Sequence, residues 1–77
     1  MMGFIAKGAA AVTPSDTIEL GPCEALYIGG AGNVSVWMPG REAPVTFIAV
    51  PVGTVLPVSA RRVLQTGTTA TNIVALT

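Results

Sequence analysis

The stretch Glu24-Ala25-Leu26-Tyr27-Ile28-Gly29-Gly30-Ala31-Gly32-Asn33-Val34-Ser35-Val36-Trp37-Met38 decides the fold class. Its two ends read as strands, because extended backbone sends successive side chains to opposite faces. In the first, Leu26 and Ile28 share one face, and Ala25, Tyr27 and Gly29 share the other. In the second, Val34, Val36 and Met38 lie opposite Ser35 and Trp37. The link Gly29-Gly30-Ala31-Gly32-Asn33 is rich in glycine, which reaches positive φ without steric penalty, so it predicts a β-hairpin. Glycine runs also cradle phosphates, but here no helical pattern follows and no Lys-Ser/Thr closes the loop.

Downstream, Pro39 to Pro44 form a loop with Arg41-Glu42 at its tip. Val45 to Val50 carry no charge; Thr46, Ile48 and Val50 face one way, and Val45, Phe47 and Ala49 the other. A strand apolar on both faces is expected to be covered on both, by a second sheet or another subunit. After the turn Pro51 to Thr54, Val55 to Val58 begin a strand that Pro57 confines to an edge or a bulge. Ser59 to Gln65 continue it, with Arg61 and Arg62 on opposite faces. The hydroxyl-rich stretch Thr66 to Thr71 turns the chain into a last strand, Asn72 to Leu76.

Upstream, Thr13-Pro14-Ser15-Asp16 is a turn, and Thr17 to Leu20 are a short strand broken by Gly21-Pro22. Met1 to Pro14 show no period. Alanine would allow a short helix over Ile5 to Val12, but so short a helix is marginal alone, and an extended arm is expected. The pattern therefore predicts an all-β chain: an arm, residues 1–14, then one domain, residues 15–77. The domain is a small antiparallel β-sandwich or partly open barrel of six to seven short strands.

Composition removes most chemistry. The chain has 77 residues, four basic and four acidic, and no histidine. Balanced charge gives no footprint for nucleic acid or an anionic membrane. No apolar run is long enough to span a bilayer, and Lys7 interrupts what would be the apolar core of a signal peptide. The single cysteine, Cys23, cannot form an internal disulfide, and it lacks a histidine to activate it; it reads as a small core residue. Of the carboxylates Asp16, Glu19, Glu24 and Glu42, only Glu19 and Glu24 could approach as a pair, and no sugar-binding cleft accompanies them. No catalytic residues, metal or cofactor are expected. A domain this small and 51% hydrophobic, with no disulfide or metal to reinforce it, is expected to gain stability by association.

Several segments together resemble the head-spike base proteins of gene transfer agents and related tailed phages. They are Leu56-Pro57-Val58, Arg61-Arg62-Val63-Leu64 and Thr66-Gly67-Thr68-Thr69-Ala70-Thr71, preceded in order by Ala25 to Gly32, Val45-Thr46-Phe47 and Pro51-Val52-Gly53. The resemblance covers Ser15 to Leu76 and consists of structural residues rather than a catalytic signature. It implies a non-enzymatic virion structural protein on the capsid surface, assembled in the host cytoplasm. Its partners would be itself (a homo-oligomer, a pentameric ring being one form), the major capsid protein and a spike fibre protein. The arm would serve capsid docking or ring crossing. Trp37-Met38-Pro39-Gly40 and Arg41-Glu42 depart from the family pattern. Capsid decoration or a tail-associated role are the near alternatives.

Two readings from other classes rest on single features. Trp37 could be the stacking platform of a small carbohydrate-binding β module, and Arg61-Arg62 with aromatics could serve a weak single-strand nucleic-acid binder. The residues expected at an interface are Arg61, Arg62, Trp37, Met38, Arg41, Phe47 and Ile48.

Overall fold

The computed structural model describes residues 7–20 and 23–77; Gly21-Pro22 and the first part of the arm lie outside the described residues. Seven strands form: β1 (Ala9–Ala11), β2 (Ala25–Gly30), β3 (Gly32–Trp37), β4 (Val45–Val50), β5 (Thr54–Leu56), β6 (Arg62–Val63) and β7 (Thr71–Leu76). They make two antiparallel sheets, one of four strands in the order β1-β7-β2-β5 and one of three in the order β4-β3-β6. The small all-β sandwich expected from the alternation is what the chain forms.

The inward rows come from the alternating apolar positions. Leu26 and Ile28 of β2, Val34 and Val36 of β3 and Val63 of β6 are fully buried, joined by Ile73 and Ala75 of β7. Phe47, Leu56, Met38, Leu20 and Val12 close the rim of this core from partly buried positions. Cys23 is buried as a small core residue; its thiol donates to the Ala60 carbonyl at 3.6 Å and accepts from the Ala60 N–H at 3.4 Å.

Four local expectations fail, each for a physical reason. The link at Gly30-Ala31-Gly32 is not a hairpin: β2 and β3 belong to different sheets, so the link arches across the sandwich. The tightness that glycine allows is used for packing, since a Cβ on Gly32 would lie 2.6 Å from the Ala70 amide nitrogen. The strand drawn from Val55 through Gln65 is two strands in two sheets, because Pro57 ends β5 after Leu56 and the chain crosses over before β6. Thr17 to Leu20 form no regular strand, although Ser15 and Leu20 donate to the Val63 and Arg61 carbonyls. Within the stretch that alanine content would allow as a helix, Ala9–Ala11 instead pair with β7 as an edge strand.

A further failure concerns face assignment on β4. Val34 pairs with Phe47 but Gly32 pairs with Val50, so β4 carries one extra residue. Ala49 takes up the bulge at φ 56°, and the Asn33 side-chain carbonyl accepts its N–H at 2.9 Å. The bulge shifts the alternation. Val50 turns inward and is buried, while Ile48, expected on the same face, is 70% exposed. Strand β4 is thus not covered on both faces within one chain.

Candidate functional site

Two edges of the three-stranded sheet have opposite character. At the β6 edge, a strap of residues 15–20 runs alongside, held by backbone bonds from Ser15 to the Val63 carbonyl and from Leu20 to the Arg61 carbonyl. Side chains reinforce it. Asp16 accepts from the Thr66 N–H at 3.0 Å and the Thr66 hydroxyl at 2.7 Å. Glu19 takes Arg61 at 2.6 Å and Arg62 at 3.2 Å on the same carboxylate oxygen. Arg61 precedes β6 in a bend, so strand alternation does not reach it, and the two arginines converge where opposite faces had been expected. The Thr66 hydrogen bonds lower the pKa of Asp16, and the Arg61 hydrogen bond, supported by its charge and by Arg62, lowers that of Glu19.

Trp37 belongs to this cluster. Arg62 lies over its ring, 5.5 Å from the centroid, and its indole N–H donates to the Arg41 carbonyl at 2.8 Å. One ring face and the polar edge are therefore engaged within the chain, and no cleft adjoins the ring among the described residues. Neither the stacking-platform reading of Trp37 nor the nucleic-acid reading of Arg61 and Arg62 gains support from this geometry, since both arginines are matched to Glu19.

The hydroxyl-rich turn completes that edge. Past Val63, Leu64 donates to the Ser35 carbonyl, the Thr68 hydroxyl accepts from the Ser35 N–H and the Thr69 hydroxyl accepts from the Asn33 N–H. Thr69 and Ala70 in turn donate to the Asn33 carbonyl. The threonine side chains stand in for strand neighbours, which is why this segment is rich in them and why Ser35 is buried on the outer face of β3.

The opposite side of the sandwich is open and uncharged. β4 leads through the turn Pro51 to Thr54 into β5, so the free edges of both sheets lie together there. Gly53 makes the turn at φ 82° and donates to the Ile28 carbonyl at 2.7 Å. The exposed side chains on this side are Val45, Ile48, Val52 and Val55, with Tyr27 paired beside Val55. No charged residue occurs from Ala43 to Ala60. Exposed apolar side chains gathered on one side without charge point to an interaction site.

The apolar row continues across the outer face of the four-stranded sheet, where Val55, Tyr27, Val74 and Ala11 pair in register from β5 through β2 and β7 to β1. At the far edge, Ala9, Ala10 and Ala11 are all exposed.

The residues anticipated at an interface therefore divide. Trp37, Arg41, Arg61 and Arg62 gather in the charged cluster with Asp16 and Glu19. Met38 and Phe47 pack against the core, and Ile48 alone stands on the open apolar side. Tyr27, Val45, Val52 and Val55 were not singled out from the sequence. The signal that could have found the three valines is the charge-free run that spans two strands and their turn; Tyr27 joins them only through its pairing with Val55.

No family model and no curated protein matches the chain. Among solved structures, it is similar to a chain from the capsid of a native gene transfer agent (GTA) particle, computed with C5 symmetry. The two are 32% identical with a TM-score of 0.84, and the match covers 95% of this chain and 84% of that one.

Proposed function

Because the chain belongs to the family of that GTA capsid-particle protein, we propose that it is a virion structural protein forming the base of a head spike. In this reading identical copies assemble on the capsid surface and hold a fibre. The protein works by assembly, and its activity is the satisfaction of surfaces that one chain leaves open. The observation that carries the reading is an uncharged, apolar, two-sheet edge on a chain with so close a capsid-particle relative. Soluble monomers rarely expose such an edge.

The same surface division supports more than one partner. The apolar side suits a permanent contact, and the charged side around Trp37, Arg41, Arg61 and Arg62 suits a contact specified by polar matching, such as the major capsid protein or the fibre. Mass spectrometry of purified particles should find the chain as a stoichiometric component. Affinity capture of the chain from disrupted particles should bring down the capsid and fibre proteins. Particles lacking the chain would overturn the virion role. Capture of capsid protein without fibre would replace the spike base with capsid decoration.

A further inference from the structure

Resting on that reading, we infer which surfaces join one copy to the next: the β4–β5 side of one copy (Val45, Ile48, Val52, Val55) against the β1 edge of its neighbour (Ala9–Ala11).

The first argument is charge. The β4–β5 side has no charged residue, so its partner must also be apolar and uncharged. The chain itself supplies such a surface. β1 is three alanines, all exposed, with Val74 and Leu76 beside them in register. Small side chains let a neighbour approach the backbone closely. The charged strap at β6 cannot play this part, because Asp16, Glu19, Arg61 and Arg62 are already matched to each other and to Thr66.

Position is the second argument. β1 and β5 are the two outer strands of the same four-stranded sheet. A contact between opposite edges of one sheet is head-to-tail: each copy uses two different patches and passes the contact on. Such heterologous contacts close into a ring or extend as a filament. A contact of the open side with itself would stop at a dimer. The similar chain comes from a capsid computed with C5 symmetry, a setting in which a head-to-tail contact can close.

Area is the third. A standard interface takes about 800 Å² from each partner, so two would cover about a third of the 4647 Å² surface. The open side and the β1 edge are at opposite ends of the four-stranded sheet, so one copy can use both at once.

The test uses three variants of the full chain: Val52→Glu on the open side, Ala9→Glu on β1, and Ile18→Glu as a control. Ile18 is exposed and apolar, but it sits on the strap. Light scattering at micromolar concentration should give a discrete oligomer for the unmodified chain and for Ile18→Glu. Val52→Glu and Ala9→Glu should each fall to the 7.8 kDa monomer with the β circular-dichroism signal retained. Mixing these two should then yield a one-to-one dimer and nothing larger, because one contact of the pair remains intact. If either substitution prevents folding, Val52→Lys and Ala11→Lys replace them. Oligomers that survive the substitutions, or a mixture that stays monomeric, would overturn the pairing. A monomeric unmodified chain that is nevertheless found in particles would overturn the pairing and leave the virion reading standing.

Discussion

The two edges of the β4-β3-β6 sheet solve one problem in opposite ways. An edge strand presents unpaired N–H and C=O groups to any passing strand. At β6 the chain closes its own edge, with the strap of residues 15–20, the Asp16–Thr66 bonds and the Glu19–arginine pairs. At β4 it leaves the edge open, removes every charge and places a bulge at Ala49. The contrast teaches where association is permitted: a chain able to close an edge with its own polar groups does so on one side only. The closed edge is satisfied within one chain, and the open edge is where the proposed association would take place.

Both edges hang on the arch that carries β2 into β3, so the largest effect comes from damaging it. In Gly32→Val, the new Cβ meets the Ala70 backbone at 2.6 Å and the Thr69 hydroxyl at 2.8 Å. Backbone cannot yield as a flexible side chain would, so the loss should be about 3 kcal/mol or more by chemical denaturation. Gly40→Ala is the contrasting control, since nothing lies within 4 Å of its added Cβ and only the strain at φ 76° remains. A Gly32 variant no less stable than the Gly40 variant would show that the arch is not the shared frame.

How much of this was legible follows from the range of the interactions. Alternation at Leu26, Ile28, Val34 and Val36 gave the inward rows, because side-chain direction in a strand is a local property. Pro57 correctly marked an edge strand, as a missing N–H is also local. Sheet membership was not legible. The same Gly-rich link can close a hairpin or an arch, and only the pairing of β2 with β7 and β5, distant in sequence, decides between them. The bulge at Ala49 was likewise hidden, since alanine gives no sign of positive φ and the supporting group, Asn33, lies sixteen residues away. That slip is why simple alternation puts Ile48 on the same face as Val50. For the charged cluster, the residue types were legible but their convergence on Glu19 was not, because it depends on the strap lying against β6.

The bulge sharpens the comparison at an intermediate scale. An alanine in the left-handed region costs roughly 1–2 kcal/mol that glycine avoids. Ala49→Gly should therefore stabilise the chain by about 0.5–1 kcal/mol, net of the extra freedom glycine has when unfolded. Asn33→Ala should do the reverse, by about 1 kcal/mol, through loss of the bond to the Ala49 N–H. The two measured together locate strain on the open edge. If Ala49→Gly destabilises, the bulge is not strained.

Smaller effects belong to the closed edge, where the groups are exposed. Glu19→Gln removes the common partner of Arg61 and Arg62 while keeping a polar side chain of the same size. Exposed pairs contribute little, so the melting temperature should fall by no more than a few degrees, and less at high salt. Local exchange is the sharper readout: the Leu20 amide, bonded to the Arg61 carbonyl, should exchange faster while the Ile28 amide in the core does not change. Equal acceleration at both would mean that the strap and core open as one unit.

The smallest effect is that of pH, and its sign follows from the direction of the two shifts. Asp16 and Glu19 both titrate below their ordinary values in the folded chain, the first through its Thr66 hydrogen bonds and the second through its Arg61 hydrogen bond. A carboxyl that is more acidic when folded adds stability above its unfolded pKa, and that contribution disappears as pH falls through the folded value. The strap should thus be fully held at neutral pH and begin to loosen below about pH 4, where unperturbed carboxylates take up protons. The Thr66 amide reports this directly, because it donates to Asp16. Its NMR shift should titrate with a midpoint below that of an unperturbed aspartate, and Asp16→Asn should abolish the titration. On the open edge there is nothing to protonate between Ala43 and Ala60, so amides of Val45 to Val55 should keep their shifts through the same range. A midpoint at or above the ordinary aspartate value, or a matching titration at β4, would erase the distinction between the two edges.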